Sequence, residues 1–470
     1  MNHGNPQASI SPIQAALASF IVDTRFEDLP PDLVTRMKWS LLDSLGCGLH
    51  GSQTEWGRII AGHATAQGTG RARLWASSGD RRVPPAAAAL ANGTMIQSFE
   101  LDDVHFGSRS HPGSVTVPVA MAMVDDGVAV SGRQLIEAMA VGYELLVRVG
   151  GCQGVSSFNR GWHPTGTAGV FAAAATASRL LGLDASQTTH ALGIAGTMPA
   201  GIMAAQFGAM VKRLFSGHAA WAGLSATMLA RSGFTGITDI FDVDFGGYPK
   251  AVSDEISLDA LTEGLGTRYE AGSIGYKLYA CVGTNHTMLA ALEDIVAREK
   301  PSWHDIDEIR IRTSEYQVLH SGWPYEPSTV MAAQMNMQYC AAALLIHGAV
   351  FVEQFEPQLL ADPDILALAG RVKVITNTAQ AHKDRTAEVE VALQDGRVLR
   401  AACSAARGHP ANPPDSGDIE RKFSRLAQGV LPLDNIQRVI DIVASLETQN
   451  ELTTLSALLS PTIATRGNER

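Results

Sequence analysis

The sequence predicts a mostly helical fold in which a large helical domain, residues 1–268 and 408–470, is interrupted by a smaller α+β domain at residues 269–407. Most of the chain before the interruption places apolar side chains at helical spacing. Alternation of apolar and polar residues, which is typical of strands, begins at Ile309, and helical spacing returns at Ile419. We therefore expect the C-terminal helices to pack back on the large domain.

Three segments of the large domain carry helix boundary signals. Residues 31–49 follow two prolines, place Leu and Met side chains on one face, and contain Gly46 and Gly48, which we interpret as stop signals. Ser131 and Asp184 each precede a glutamine by three residues, a spacing that predicts a capped helix start. Stretches rich in Ala and Gly lie between these segments, and their small side chains let helices approach closely. The large domain is therefore predicted to be a tightly packed helical core.

The smaller domain is predicted to combine a sheet with a helix. Three segments alternate between apolar and polar side chains and so predict strands, at residues 309–312, 372–374 and 388–393. Asp395 and Gly396 follow the last of them and precede another apolar run, which predicts a hairpin with a type I′ turn. A helical stretch, residues 331–347, lies between the first strand and the later ones.

The composition excludes several classes of protein. The chain has 470 residues, of which 46% are hydrophobic and 18% charged, a balance that excludes intrinsic disorder and favours extensive burial, some of it between subunits. The formal net charge of −11, without any basic run, excludes nucleic acid as a partner. Small anions remain possible ligands, because an acidic protein can contain a basic pocket.

Cysteine usage and hydropathy indicate a cytoplasmic protein. The five cysteines are widely spaced and form no C-x-x-C motif, which favours a reducing compartment over a disulfide framework. The N-terminal residues lack the basic and apolar regions of a secretory signal. The longest apolar stretches are shorter than the roughly 18 residues that a membrane span needs. We therefore expect neither secretion nor membrane insertion.

The densest polar group of the sequence lies in an otherwise apolar stretch. It contains Glu100, Asp102, Asp103, His105, Arg109 and His111. Carboxylates and imidazoles this close shift one another's pKa and can support proton transfer. A solvated loop, or aspartates that cap the next helix, explains the same residues without catalysis. The two histidines lack the spacing of a zinc motif, so no metal site is predicted.

A second group surrounds His163, which precedes a proline and a helix rich in Gly and Ala. The hydroxyl groups of Thr165 and Thr167, together with free backbone amides at the helix start, can form an anion pocket. A buried structural histidine is the alternative interpretation of His163.

Two further groups place cations among apolar residues. Lys212 and Arg213 either extend to water or enter a pocket, where a lysine can act as a base or hold a carboxylate. Lys277 and Cys281 lie near the predicted domain boundary, and clefts between domains are common sites. Cys281 is either a nucleophile activated by a neighbouring cation or a buried inert thiol.

Five segments of the chain resemble the MmgE/PrpD family. In chain order they are ALANGTMIQSFELDDVH with HPGSVTVPVAMA, GWHPTGTAGVFAAAATASRLLGL, FGAMVKRLFSGHAAWAGLSATMLARSGFTGI, KLYACVGTNHTMLAAL, and the NPP…KF tail at residues 412–423. The resemblance covers nearly the whole chain. It implies a large helical domain with an inserted α+β domain, a cleft between them, and a homodimeric enzyme that needs no cofactor.

The resemblance carries the family's functional positions onto particular residues of this chain. They are the acidic Glu100, Asp102 and Asp103, the histidines His111 and His163, the lysines Lys212 and Lys277, and Tyr339. The chain departs from the family's pattern at Glu100, at Val104, after Lys212, and by one inserted residue before His111. These departures lie at positions that would contact the substrate. The resemblance therefore supports the inference about the fold more strongly than the inference about the substrate.

The chemistry implied by the resemblance is proton movement at a carbon next to a carboxylate, followed by loss of water, loss of CO₂ or return of the proton. The expected catalytic residues are His163, Lys212, Asp102, His111 and Tyr339. The expected substrate-binding residues are Glu100, Asp103, Arg109, Thr165, Arg213 and Lys277.

Among these residues, His163 and Asp102 are expected to transfer protons and Tyr339 to act as a second acid. Lys212, Lys277 and His111 are expected to hold carboxylates and stabilise negative charge. Dehydration of a small di- or tricarboxylic acid is the leading prediction. Epimerisation of an imino- or amino-dicarboxylate, decarboxylation of the cis-aconitate type and carboxylate binding without catalysis stay open as alternatives.

Overall fold

A computed structural model describes residues 10–76, 80–381 and 384–460 of the chain. The helices in this part are α1 Pro12–Asp23, α2 Pro31–Ser52, α3 Glu55–Ala66, α4 Pro85–Ile96, α5 Gly113–Asp125, α6 Gly132–Cys152, α7 Ser156–Asn159, α8 Pro164–Leu181, α9 Ala185–Ala195, α10 Leu214–Arg231, α11 Tyr248–Val252, α12 Asp259–Thr262, α13 His286–Glu299, α14 Glu315–Ser321, α15 Val330–Gln334, α16 Met337–His347, α17 Pro363–Ala369, α18 Ser416–Ala427, α19 Leu433–Ala444 and α20 Thr453–Leu458. The strands are β1 Ala72–Arg73, β2 Arg82–Val83, β3 Val104–His105, β4 Ile274–Gly275, β5 Ile306–Thr313, β6 Val372–Thr376, β7 Ala387–Leu393 and β8 Val398–Cys403.

Helix α8 lies at the centre of the helical part and packs against α5, α6, α9 and α10. Its residues from Pro164 to Ser178 are all buried. Both predicted capped starts are confirmed, because Ser131 at α6 and Asp184 at α9 each form reciprocal hydrogen bonds with the glutamine three residues later. The mostly helical fold class is therefore confirmed.

Helix α2 does not stop at its first glycines. It continues through Gly46 and Gly48 to Ser52, so the predicted stop at these residues is wrong. A Cβ atom on Gly46 would lie 3.2 Å from Phe423, and one on Gly51 would lie 1.9 Å from the carbonyl oxygen of Met95. These glycines are present because neighbouring helices pass too close for a side chain.

The same close packing joins α4 to α10. A Cβ atom on Gly217 would lie 2.2 Å from the carbonyl oxygen of Leu90, so the main chains of the two helices are in contact. Close packing of this kind fixes the start of α10, and the two cations Lys212 and Arg213 lie in the turn just before it. The prediction of close packing through small residues is confirmed.

A four-stranded sheet forms the centre of the α+β part, in the order β6-β5-β7-β8. Strands β5 and β6 are parallel, and the other two pairs are antiparallel. The predicted hairpin joins β7 to β8, but the type I′ turn is wrong. Of its two central residues only Gly396 has a positive φ, +88°, because a glycine alone takes up the left-handed conformation in this turn.

The C-terminal helices return to the helical part of the chain, where α18 and α19 pack on α2 and α20 packs on α5. One continuous apolar core runs from α2 and α6 into the sheet and the C-terminal helices, and a second surrounds α8. In residues 10–76, 80–381 and 384–460, every helix is too short or too polar to cross a membrane.

Candidate active site

A cavity of about 110 Å³ lies between the helical part and the α+β part of the chain. Charged and polar residues from both parts line it, among them Glu100, Arg109, His111, His163, Lys212, Lys277, Thr284, Tyr316, His320 and Arg385. Six of these are residues that the sequence singled out as candidates. These six come from four separate stretches of the chain, so the fold assembles the site from residues that are distant in sequence.

Glu100 is the carboxylate that three cations of the site contact. It follows a short turn after α4 and has a left-handed backbone, φ +54°. Its Oε1 accepts hydrogen bonds from Lys212 Nζ and, at 2.7 Å, from Arg213 Nη1, and its Oε2 lies 3.4 Å from Lys277 Nζ. Burial alone would raise the pKa of Glu100, but the three cations together lower it well below its usual value. Glu100 is therefore an ionised anchor for cations, and its buried negative charge would repel an anionic ligand.

Lys212 and Arg213 sit side by side but have different surroundings. Lys212 lines the cavity, and burial lowers its pKa although Glu100 opposes this effect. Arg213 lies behind Glu100 and donates to the carbonyl oxygen of Gln97 at 3.3 Å and to Gln334 Oε1 at 3.2 Å. Lys212 is thus placed to meet a ligand, whereas Arg213 holds Glu100 in position.

Lys277 enters the cavity directly after β4, whose pairing with β3 brings it to the acidic segment. Its Nζ lies 3.4 Å from Glu100 Oε2 and 3.6 Å from Asp102 Oδ1. Burial would lower the pKa of Lys277, but the two carboxylates raise it above its usual value. Lys277 is therefore a fixed positive charge.

His111 is held by its backbone and by one ring nitrogen. Its backbone N–H donates to Thr165 Oγ1 at 3.0 Å, and its Nδ1 donates to the carbonyl oxygen of Asp103 at 2.7 Å. A carbonyl only accepts, so Nδ1 carries the proton and Nε2 keeps a free lone pair when the ring is neutral. Burial lowers the pKa of His111, although Asp102 opposes this.

His163 caps α8 and lies parallel to His111, with ring centroids 6.3 Å apart and planes at 12°. Burial lowers the pKa of His163 well below its usual value, and His111 and Lys212 lower it further. Within the described part of the chain its buried Nδ1 has no hydrogen-bond partner. An unpartnered polar atom is costly in a protein interior, so this atom marks a position where a ligand is expected to bind.

Asp102 does not line the cavity but lies next to two residues that do, His111 and Lys277. Its carboxylate accepts no hydrogen bond from the described residues, but Oδ2 lies 3.3 Å from His111 Nδ1 and Oδ1 lies 3.6 Å from Lys277 Nζ. These are ion-pair distances. Asp102 is therefore placed to orient His111 and Lys277, and a proton that it received would come through His111.

Asp103 and Thr165 hold the site together but do not line the cavity. Asp103 accepts hydrogen bonds from Tyr143 Oη at 2.6 Å and from the backbone of Gly113 at 3.0 Å. Burial and the charge of Asp43 raise the pKa of Asp103 to about 7. Thr165 is buried and fixes the backbone of His111. The structure thus places both residues in supporting positions and not against a bound substrate.

Tyr339 lies outside the site, contrary to the expectation that it acts as a second acid. Its hydroxyl donates to the carbonyl oxygen of Gln354 at 2.6 Å, and its ring packs against Tyr325 and Phe355 in the core of the α+β part. The physical reason is that α16 directs this side chain toward Tyr325 and the turn at residues 352–355. The hydroxyl proton of Tyr339 is donated to a backbone carbonyl and is not available to a ligand in the cavity.

The sequence analysis missed five polar residues that line the cavity: Gln206, Thr284, Tyr316, His320 and Arg385. Tyr316 and His320 lie on α14 with stacked rings 5.5 Å apart. The guanidinium carbon of Arg385 lies 5.7 Å from the centroid of the Tyr316 ring. No sequence pattern links α14 to the segment before β7, and only the packing of β5 between β6 and β7 brings them together.

Cys281 and the possible metal ligands were also tested by the structure. Burial raises the pKa of the Cys281 thiol well above its usual value, which agrees with the inert-thiol interpretation. Within residues 10–76, 80–381 and 384–460, no three His, Cys, Asp or Glu side chains form a group that could hold a metal ion.

A buried set of cations anchored on one carboxylate, beside two buried imidazoles, is an arrangement that can support acid–base chemistry on a small anion. The chain belongs to the MmgE/PrpD family. The model of the MmgE/PrpD N-terminal domain matches residues 15–258, and that of the C-terminal domain matches residues 279–448. The family membership expected from the sequence is thereby confirmed.

Several relatives align along almost their entire length. A cis-aconitate decarboxylase-like protein, oryM, from Aspergillus oryzae is 34% identical over 95% of this chain and 97% of its own. A cis-aconitate decarboxylase from Aspergillus terreus is 28% identical over 92% of this chain and 93% of its own. A mitochondrial 2-methylcitrate dehydratase from Yarrowia lipolytica is 21% identical over 93% of this chain and 88% of its own. The expectation of a lyase-type enzyme agrees with these names.

Proposed function

We propose that the protein is a lyase that removes CO₂ from a small unsaturated tricarboxylic acid of the cis-aconitate type, using acid–base chemistry of its own side chains. The observation that carries the proposal is the pair of stacked imidazoles His111 and His163 beside the two lysines of the cavity. The similarity to cis-aconitate decarboxylases along nearly the whole chain supports decarboxylation over the dehydration that the sequence analysis favoured.

The proposed reaction needs a proton donor and fixed positive charge. When the bond to the departing carboxylate breaks, its electron pair forms a new carbon–carbon double bond and CO₂ leaves. The electron pair of the original double bond then takes a proton at the carbon next to another carboxylate. Negative charge builds up on that carboxylate during the step, so nearby cations lower the barrier.

The residues of the cavity are suited to these roles. His163 is neutral in the free protein, and the negative charge of a bound substrate would raise its pKa and let it carry the proton that it delivers to carbon. Lys212 and Lys277 stabilise the developing charge. His111, oriented by Asp102, holds a second carboxylate or exchanges the proton with His163.

Replacing His163 with Asn tests this assignment, because it keeps a polar side chain but cannot transfer a proton. We expect kcat for cis-aconitate to fall by about 10² to 10⁴, with a circular dichroism spectrum and melting temperature close to those of the parent protein. The matched control is His304→Asn on the exposed turn before β5, which should retain full activity. A His163→Asn variant that turns over normally would contradict the proposal.

Dehydration remains the second candidate, because the 2-methylcitrate dehydratase is similar over nearly the whole chain. It uses the same proton transfer but releases water, so the products separate the two reactions. Epimerisation would release neither CO₂ nor water and would exchange one substrate hydrogen with solvent. A carboxylate-binding protein would be stabilised by the ligand without forming any product.

We also propose that the enzyme is a homodimer. Large exposed apolar side chains concentrate between residues 202 and 245, namely Ile202, Met210, Val211, Leu229, Phe234, Ile237 and Phe245. Exposed apolar side chains are a feature of surfaces that bind another protein chain when they form one contiguous patch, and this is what we propose for these residues. Sedimentation velocity measures this directly, and a single monomer peak at micromolar concentration would contradict it.

A further inference from the structure

A second, wider cavity adjoins the one that contains the lysines. Its volume is about 590 Å³, against about 110 Å³ for the inner cavity. Five residues line both cavities and therefore form the junction between them: Phe106, Arg109, Phe158, Tyr316 and Arg385. A ligand in the inner cavity that extends toward the wider one must pass these five side chains.

The two arginines of the junction rest on aromatic rings. The guanidinium carbon of Arg385 lies 5.0 Å from the centroid of the Phe106 ring and 5.7 Å from that of Tyr316. The guanidinium carbon of Arg109 lies 5.9 Å from the centroid of the Phe158 ring. Ring contacts of this kind fix the planes of guanidinium groups but leave most of their N–H donors free.

Neither arginine forms an ion pair with a carboxylate of residues 10–76, 80–381 or 384–460. Asp384 also lines the wider cavity, but its Oδ1 accepts hydrogen bonds from the backbone and hydroxyl of Thr386, both at 2.8 Å. Burial lowers the pKa of Arg385, Tyr316 opposes this effect, and Arg109 adds to it, which agrees with two cations facing the same space.

The cations of the inner cavity differ in this respect. Lys212 and Lys277 both pair with Glu100, and Lys277 also lies 3.6 Å from Asp102. The positive charges of these two lysines are therefore largely balanced by carboxylates of the protein itself. Among the lysines and arginines of the described residues that line these two cavities, Arg109 and Arg385 are the ones without a carboxylate partner.

We propose that Arg109 and Arg385 form a second anion-binding subsite, which takes one carboxylate of the substrate while the reacting end lies beside Lys212 and His163. This inference rests on the proposed function and narrows its substrate class. The substrate is a polycarboxylate long enough to reach from the inner cavity to the junction. Guanidinium groups suit this task because they bind a carboxylate through two parallel hydrogen bonds.

The experiment is titration calorimetry with tricarballylate, a saturated tricarboxylate that cannot react, at low ionic strength. We expect Arg385→Met and Arg109→Met each to raise its Kd about ten- to a hundredfold. Arg385→Lys keeps the charge but loses the planar fork, so its Kd should lie between those of the parent and Arg385→Met. The matched control is Arg400→Met on exposed β8, which should leave the Kd unchanged.

Two results would overturn the subsite. One is a Kd within twofold of the parent in both methionine variants, provided that their circular dichroism spectra match that of the parent. The other is binding of inorganic phosphate to the parent protein without displacement of tricarballylate, since this would show an anion site separate from the substrate. Competition between phosphate and tricarballylate, lost in Arg385→Met, would support the proposal.

The binding assay is independent of turnover, so the two proposals fail separately. Arginine-dependent binding of tricarballylate without conversion of any unsaturated tricarboxylate would contradict the proposed function and leave the subsite intact. Decarboxylation with the same KM in Arg385→Met as in the parent would contradict the subsite alone. A higher KM with an almost unchanged kcat is the result expected if both hold.

Discussion

Replacing Glu100 with Gln tests how the cations of the site are held in place. The carboxylate of Glu100 contacts Lys212, Arg213 and Lys277, and all four residues are buried. Glutamine has nearly the same shape but no charge, so the variant leaves three positive charges together in a region poor in water. The perturbation is therefore electrostatic, with little change in packing.

The expected loss of stability follows from the burial of these groups. Removing one partner of a buried ion pair costs about 3 to 5 kcal/mol, because the other partner stays behind without a counter-charge. Lys212 limits this cost, since burial already lowers its pKa and the loss of Glu100 removes the carboxylate that raises it, so the charged form of Lys212 becomes easier to neutralise. We therefore expect a decrease of about 3 kcal/mol in the free energy of unfolding.

Urea unfolding followed by circular dichroism at pH 7.5 measures this decrease. The control is Glu390→Gln, whose carboxylate lies 2.8 Å from Arg400 Nε on the exposed side of the sheet, and whose unfolding midpoint should stay near that of the parent. Tricarballylate should raise the melting temperature of Glu100→Gln more than that of the parent, because its carboxylates replace the missing charge. If Glu100→Gln is as stable as the parent without ligand, the account of Glu100 as the anchor of the cations is wrong.

Three further predictions concern the structure around the site. In a urea titration, Gly51→Ala should lower the free energy of unfolding by about 2 kcal/mol or more, because its Cβ would lie 1.9 Å from a carbonyl oxygen of α4. The control Gly62→Ala on exposed α3 should be neutral or slightly stabilising. Lys422→Met should reduce kcat more than it changes KM in steady-state assays. The reason is that the Lys422 ammonium from α18 donates to the carbonyl oxygen of Leu101 and so fixes the acidic segment. Unchanged kinetics would contradict this. Burial lowers the pKa of His320 from 6.5 to about 4, so the folded state binds fewer protons than the unfolded state between these values, and stability that is present above pH 6.5 should be lost as the pH falls toward 4. Urea midpoints at pH 7.5 and 5.0 should differ less in His320→Gln than in the parent, and an equal difference would contradict this.

The sequence predicted local features well where local chemistry decides them. The capped starts at Ser131 and Asp184, the strands of the sheet and the hairpin at Gly396 all depend on neighbouring residues. The stop predicted at Gly46 failed because that glycine serves a contact with a helix almost four hundred residues away, and spacing within the helix carries no sign of it.

The sequence predicted only part of the site, because motifs within the chain mark some of its residues whereas the packing of distant segments decides the others. His163, Lys212 and Lys277 belong to motifs with a family resemblance, and the structure brings them to one cavity. Tyr339 belongs to such a motif too, yet the orientation of α16 turns its hydroxyl to a backbone carbonyl. Arg385 carries no local signal, because only the order of the strands brings it to the cavity that the lysines line.

The central claim is that the site moves a proton at a carbon next to a carboxylate while CO₂ leaves. The most direct test is NMR spectroscopy of cis-aconitate with the enzyme in D₂O, with dissolved CO₂ and hydrogencarbonate followed in the same sample. The account predicts equimolar CO₂ and an unsaturated dicarboxylate that carries a single deuterium at the carbon that accepted the proton. Formation of a hydroxy acid without CO₂, or release of CO₂ without deuterium in the product, would contradict it.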